Sequence, residues 1–252
     1  MDNKQPTLDD LLIETHVGLE RQGPGSRETT LKALGFIENL DEITYVADLA
    51  CGTGGQTTVL AEKIPGSIVG VDICSSFIDV LNGNAAMLNL NERVNGIVGN
   101  MANLSFALER FDLIWSEGAI DAIGFEKGLT HWRGFLRRGG HVAVTCPSWL
   151  AAEHPAEVEN LWTEAGSSLD SVETNIHAMQ RAGYAFIAAF ALAEQDWMNY
   201  FIPRETAGKE ILQKYPESET VREYLERDRV EAEVYAKYKR YYGYVCYIGK
   251  RL

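Results

Sequence analysis

The sequence predicts an α/β fold with a mostly parallel sheet covered by helices on both faces, and three observations carry that prediction. Segments with strand character alternate with segments of helical length from about residue 44 onward. Several of the strand segments are near-continuous apolar runs, the pattern of strands buried on both faces. The 252 residues, 46% of them hydrophobic and 23% charged, supply enough apolar material for one main core.

Taken in order, TLDDLLIETHVGLE (7–20) has the mixed apolar and acidic spacing of a short amphipathic helix, and RQGPGS supplies turn chemistry after it. Ser26 or Thr29 caps a second helix over RETTLKALGFIENL, with Leu31, Leu34 and Ile37 on one face and Asn39 and Asp41 breaking it. Two βα units follow: TYVADLA with a helix near QTTVLAEKI, then SIVGVDI with a helix near SFIDVLNGNAAMLNL. The alternation continues through VNGIVGN, a turn region, FDLIWSEG, a helix around EKGLTHWRGFL, and HVAVTCPS after a turn at Arg137 to Gly140. Helices near AEVENLWTEAG and SVETNIHAMQRAG precede a strand in YAFIAAFAL. A helical stretch from about Pro203 to Lys239, broken at Pro216, leads to a last strand in YYGYVCYIG.

Composition narrows the function. A formal net charge of −13 opposes binding to a polyanion, because nucleic-acid affinity rests on Lys and Arg neutralising phosphates. The late basic residues, Lys237, Lys239, Arg240, Lys250 and Arg251, read as a solvated surface. No stretch approaches the roughly 20 apolar residues of a membrane span, and MDNKQPTLDD lacks the features of a signal peptide, so the expected location is the cytoplasm, with no membrane partner. Cys51, Cys74, Cys146 and Cys246 show no CxxC spacing, and neither zinc nor a disulfide framework is indicated.

The strongest chemical signal is Val46-Ala47-Asp48-Leu49-Ala50-Cys51-Gly52-Thr53-Gly54-Gly55, an apolar strand running straight into glycines and then a helix. Gly52, Gly54 and Gly55 remove Cβ obstruction and permit unusual dihedrals, while the helix offers unpaired amides at its start. Asp48 stands before the glycines, where a carboxylate suits a cationic amino group. The next strand ends at Asp72, 24 residues later, where an acid in a βαβ unit reaches ribose hydroxyls. The competing reading, a plain turn with Asp72 as a helix cap, is disfavoured by the agreement of the strand contexts on both sides.

Together DLACGTGG, VDI, FDLIWSEGAI and LRRGGHVAV resemble the motifs of class I S-adenosylmethionine-dependent methyltransferases over roughly residues 44–146. The flanks RQGPGSRETTLKALGFI and EQDWMNYFIP are similar, more narrowly, to a bacterial group of ubiquinone/menaquinone-biosynthesis-type methyltransferases, a label that says little about the acceptor. The resemblance implies a Rossmann-like doubly wound sheet of seven strands, mostly parallel with an antiparallel last strand, plus helical insertions. It divides one domain, 1–252, into a helical leader (1–40), a cofactor-binding core (41–147), and helical insertions with the last two strands (148–252).

For S-adenosylmethionine, the resemblance implies that the turn at Ala50, Cys51, Gly52 and Gly54 borders the methionine part and that Asp48 lies near its amino group. Asp72, with Ile73 beside it, would hold the ribose, and Asn100 and Met101 would flank the adenine. Ser116 would lie beside the cofactor, and the leader would fold over it through Gly25. Two positions depart from the family, which usually has glycine at Ala50 and often aspartate at Asn100. Ala50 is small enough for the turn, and Asn100 can contact an adenine amino group through its side-chain carbonyl.

Methyl transfer from a sulfonium is an in-line displacement that requires alignment and exclusion of water. Glu117 and Asp121, just after the fourth strand, are the base candidates, against a reading in which Glu117 contacts cofactor or a loop amide and Asp121 is exposed. SEGA replaces the Asn/Asp-Pro-Pro-aromatic motif of base methylation, and no metal-ligand pattern is evident. The histidines are scattered, with His154 after the fifth strand the one of interest. Trp149, Trp197, Tyr200 and Phe201 read either as walls of an acceptor pocket or as core. The expectation is therefore methyl transfer from S-adenosylmethionine to a small-molecule acceptor. The alternatives are an NAD-dependent oxidoreductase, disfavoured by DLACGTGG in place of G-x-G-x-x-G at the strand end, and a non-catalytic S-adenosylmethionine-binding protein. Oligomeric state stays open, a dimer included.

Overall fold

The computed structural model describes residues 5–252, so residues 1–4 of the leader lie outside the described residues. A mixed sheet runs in the order β3-β2-β1-β4-β5-β8-β7, built from β1 (Tyr45–Leu49), β2 (Ser67–Asp72), β3 (Val94–Val98), β4 (Phe111–Ser116), β5 (Leu136–Trp149), β7 (Tyr184–Ala191) and β8 (Tyr242–Arg251). The two-residue β6 (Asp170–Ser171) adds an eighth strand, paired parallel to the end of β5. β1 pairs parallel with both β2 and β4, and β8 runs antiparallel to both β5 and β7. The expected architecture thus appears with one more strand, too short to carry a periodic signal.

Alternation along β1 explains why both faces are covered. Val46 enters one core with Ile68, Leu113, Trp115 and Ala143, while Ala47 and Leu49 enter the other with Val69, Ile114 and Val142. The helices α2 (Arg27–Leu34), α3 (Gly55–Lys63) and α4 (Ser75–Met87) contribute to the first core. The second face is covered by α5 (Phe125–Arg133) and α7 (Val172–Arg181). The strand order reverses between β1 and β4, and the carboxyl ends there form the crevice where open α/β sheets bind ligands.

Local chemistry sets the helix ends. The Ser26 hydroxyl caps α2 by accepting from the Thr29 amide at 3.1 Å, and α2 stops at Leu34, ahead of Gly35 and short of the expected break at Asn39. α1 (Leu8–His16) begins with a capping box between Thr7 and Asp10. The late helical stretch divides into α8 (Glu194–Lys214) and α9 (Glu219–Tyr238), so the first helix starts well before Pro203 and keeps that proline inside. Its start is fixed by Asp196, whose carboxylate accepts from the Ala193 amide at 2.8 Å and from the Thr29 hydroxyl at 2.8 Å. The expected Arg137 to Gly140 turn is instead part of β5, where Gly139 takes a φ of +75° and the register against β4 shifts.

The leader docks on the α8–α9 pair. Leu11 of α1 packs with Ile211 and Val221, and the Gly25 amide donates to the Asp196 carbonyl at 3.2 Å. No helix among the described residues is long and apolar enough to cross a membrane.

Candidate functional site

At the carboxyl end of β1 the chain turns sharply. Ala50 has a φ of +54°, Gly52 of +56° and Gly54 of +87°, and α3 begins immediately after. A left-handed backbone at a residue bearing a Cβ costs roughly 1–2 kcal/mol, which is the physical reason that a glycine suits position 50. Gly54 also meets α4, since a Cβ there would lie 2.3 Å from Leu81 Cδ1.

Asp72 faces this turn across the end of β2. Its Oδ2 accepts from the Gly52 amide at 2.9 Å and its Oδ1 from the Cys74 amide at 2.9 Å, so it pins the turn and starts the chain toward α4. A carboxylate has about four acceptor positions, and two amides leave room for two hydroxyls. Asp48 is wholly buried behind the turn. It accepts from the Thr57 hydroxyl at 2.5 Å and the Gln56 amide at 3.3 Å, and burial pushes its carboxyl up to about 7 against those two bonds.

The leader closes over the turn. Gln22 Oε1 accepts from the Thr53 amide at 2.9 Å while Gln22 Nε2 donates to the Thr53 hydroxyl at 2.9 Å and the His16 carbonyl at 3.2 Å. Gln22 fills the direction of the missing Cβ of Gly52, where an added carbon would lie 1.8 Å from its Oε1. Arg21 reaches β4, where its Nη1 donates to Glu117 Oε2 at 2.5 Å; both side chains are 8% exposed. Glu117 Oε1 accepts from the Thr30 hydroxyl at 2.8 Å and Trp115 Nε1 at 2.9 Å.

With both oxygens committed to three donors, Glu117 is a clasp between leader and sheet as placed. Neither oxygen of this base candidate is free in the folded chain. Asp121, the other base candidate, is half-buried and is not among the residues lining the cavity, so its reading as exposed does not hold. Its Oδ2 accepts from the Ser167 hydroxyl at 3.1 Å, and burial raises its carboxyl.

These groups enclose a cavity of about 150 Å³. Of the residues expected from sequence, Ala50, Cys51, Gly52, Asp72 and Glu117 line it. Ile73, exposed at the tip of β2, and Asn100 and Met101, past the end of β3, lie around it on the same edge of the sheet. Asn100 Oδ1 accepts from the Ala102 amide at 2.8 Å, and Met101 is partly buried against the second core. Ser116 is buried at the end of β4 with no hydrogen-bond partner for its hydroxyl among the described residues. Gly25 backs the Arg21–Glu117 pair, a Cβ there falling 3.2 Å from each.

Sequence reasoning missed Arg21, Gln22, Gln56 and Phe77 as lining residues. RQGPGS was visible as a turn, but its pairing with Thr53 and Glu117 spans 31 and 96 residues and leaves no local signal. Trp149, Trp197 and Phe201 are core, with Trp197 stacked on Tyr235 at 4.0 Å. His154 stacks on Trp149 at 4.2 Å.

Comparison with known proteins agrees with this geometry. Residues 46–140 match a family model described as a methyltransferase domain. A demethylmenaquinone methyltransferase from Bacteroides fragilis is 26% identical over 145 residues, 57% of this chain and 56% of that protein, so the match spans little more than half of that relative's length. The X-ray structure of YjhP from E. coli superposes with a TM-score of 0.81 at 19% identity, covering 96% of this chain and 99% of that one. A methyltransferase from Geobacter sulfurreducens, solved with S-adenosyl-L-homocysteine, superposes with a TM-score of 0.80 at 20% identity, covering 96% and 98%. At these identities the two superpositions establish the fold.

Proposed function

We propose that this chain is a class I S-adenosylmethionine-dependent methyltransferase that transfers a methyl group from S-adenosylmethionine to a small-molecule acceptor. The observation that carries the reading is the left-handed turn Ala50 to Gly54 at the switch point of the sheet, facing Asp72 beneath a docked leader. The residues fit the cofactor on three counts: the turn brings backbone close without side-chain obstruction, Asp72 keeps acceptor positions for ribose hydroxyls, and Ile73, Asn100 and Met101 share the sheet edge expected for the adenine.

When bound, S-adenosylmethionine supplies a sulfonium methyl group for in-line displacement. The protein's part is placement and exclusion of water. Asp48 acts from behind, holding Thr57 and Gln56 at the start of α3. Arg21, Gln22 and Glu117 hold the leader over the cavity, and Gln22 must give way where it fills the space above Gly52. An NAD-dependent oxidoreductase is less well supported, because the strand ends in Asp48-Leu49-Ala50 with no glycine at its end. The acidic chain suits a small acceptor in the cytoplasm better than a nucleic acid.

Calorimetry and thermal unfolding with S-adenosylhomocysteine and with NAD test the reading. S-adenosylhomocysteine at 100 times its Kd should add about 2.7 kcal/mol of stability. Tight NAD binding without a response to S-adenosylhomocysteine would overturn it.

A further inference from the structure

A second cavity, of about 280 Å³, opens between α1, α4 and the α8–α9 pair. It adjoins the first, because Gln22 and Phe77 line both. Its wall on the leader side is His16, whose carbonyl holds the Gln22 amide, so one hydrogen-bonded path runs from the turn at Thr53 to this cavity. At this size it sits just below the roughly 300–1,000 Å³ common for ligand pockets and suits a small molecule.

The polar groups of this cavity form one network. His16 Nε2 and the Tyr200 hydroxyl lie 3.1 Å apart, and Arg204 Nη1 donates to that hydroxyl at 2.5 Å. Arg204 also pairs with Glu231 Oε2 at 2.9 Å and with Asp228 Oδ1. Tyr224 completes the wall, held by the Thr15 hydroxyl at 2.9 Å. Arg204 is thus a single guanidinium facing two carboxylates. Burial lowers the basicity of His16, with Arg204 reinforcing the effect, so the imidazole adds no compensating positive charge. Burial pushes the Glu231 carboxyl up, while the Arg204 guanidinium beside it pulls the other way.

Two buried atoms in this network have no hydrogen-bond partner among the described residues: Asp228 Oδ2, an acceptor, and Arg204 Nε, a donor. Buried polar atoms of this kind carry a cost unless a ligand or water meets them. Their pairing calls for a ligand that brings both a donor and an acceptor. The surplus carboxylate asks that the donor be positively charged.

We propose, building on the methyltransferase reading, that this cavity is the acceptor site and that it anchors a small molecule through an ammonium group, the molecule carrying a hydrogen-bond acceptor elsewhere. The ammonium has no lone pair and so is not the methylated atom. The ammonium lies against Asp228 and Glu231. The ligand's acceptor meets Arg204, and Gln22 stands between the amine and the cofactor turn.

Tyramine and tyrosol, which differ by an ammonium in place of a hydroxyl, test this on the full chain. Saturation with S-adenosylhomocysteine is first verified by calorimetry; failure there refutes the methyltransferase reading itself, independently of the acceptor site. With that ligand bound, tyramine should bind roughly tenfold or more tightly than tyrosol, because a charge-assisted hydrogen bond accounts for at least that factor. Asp228→Asn and Glu231→Gln should each remove most of the preference while the affinity for S-adenosylhomocysteine stays within about twofold. Equal or undetectable binding of the two probes, or a tyramine preference that survives in both variants, overturns the amine site. Because the probe comparison is made on the unaltered protein, it decides the matter even if either variant fails to fold.

Discussion

Replacing Glu117 by Gln separates a clasp from a catalyst. In the folded chain this carboxylate is 8% exposed, as is its partner Arg21, and it holds three donors from the leader and from β4. Gln keeps the length and one acceptor oxygen but removes the charge opposite a buried guanidinium. Its amide nitrogen must also face a donor, whichever way the group is turned. Breaking a buried ion pair by neutralising one partner costs about 3–5 kcal/mol, because the remaining charge stays uncompensated. Since that is a large share of the 5–15 kcal/mol that typically holds a domain together, the leader should release before the sheet unfolds.

The expected outcome for Glu117→Gln is faster hydrogen exchange and faster proteolysis across residues 17–25, with weaker binding of S-adenosylhomocysteine, because Arg21, Gln22, Gly23 and Pro24 line the cavity. Strand amides of β1 and β4 should stay protected. Unchanged leader protection, unchanged affinity and a turnover reduced by ~100-fold with an identified acceptor would refute the clasp and restore Glu117 as a base.

Other perturbations probe the same site. Asp48 is held protonated in the folded chain up to about pH 7 by burial, so its contribution to stability is full below its unfolded value near 3.9 and is lost as pH rises through 7. Between pH 5 and 8 this amounts to about 2–3 kcal/mol, a slope that urea unfolding should find in the native protein and not in Asp48→Asn; the same slope in both would assign it elsewhere. Asp72→Ala leaves the Gly52 and Cys74 amides without their acceptor and should reduce affinity for S-adenosylhomocysteine by roughly tenfold or more. If calorimetry finds no change in a folded variant, Asp72 serves the turn alone. In Gly55→Ala the new Cβ would lie 2.3 Å from the Glu20 carbonyl oxygen and 3.0 Å from Arg21 Cγ, so the leader backbone must move at a cost of about 1–3 kcal/mol. Its melting temperature should fall, and a leader as protected as before would show that the contact is not limiting.

By itself the sequence determined the strands near the glycine turn, the turn itself, Asp72 opposite it and the excess of acid over base. Each is written locally: apolar runs bury on two faces, glycines follow a strand without a break, and an acid ends the next strand. The antiparallel last strand was legible only through the family resemblance, because antiparallel pairing of β8 with β5 joins segments about a hundred residues apart. The partners of Glu117 were not legible for the same reason. Proximity to the end of β4 made it a base candidate, and Arg21 and Thr30, distant in sequence, occupy its carboxylate. Tertiary structure alone decided that Gln22 covers Gly52, that Asp48 lies behind the turn, and that His16, Tyr200, Arg204, Asp228 and Glu231 share one cavity. Those contacts depend on how the leader and the α8–α9 pair pack over the sheet, and side-chain partners brought together by packing leave no periodicity or spacing in the chain to read.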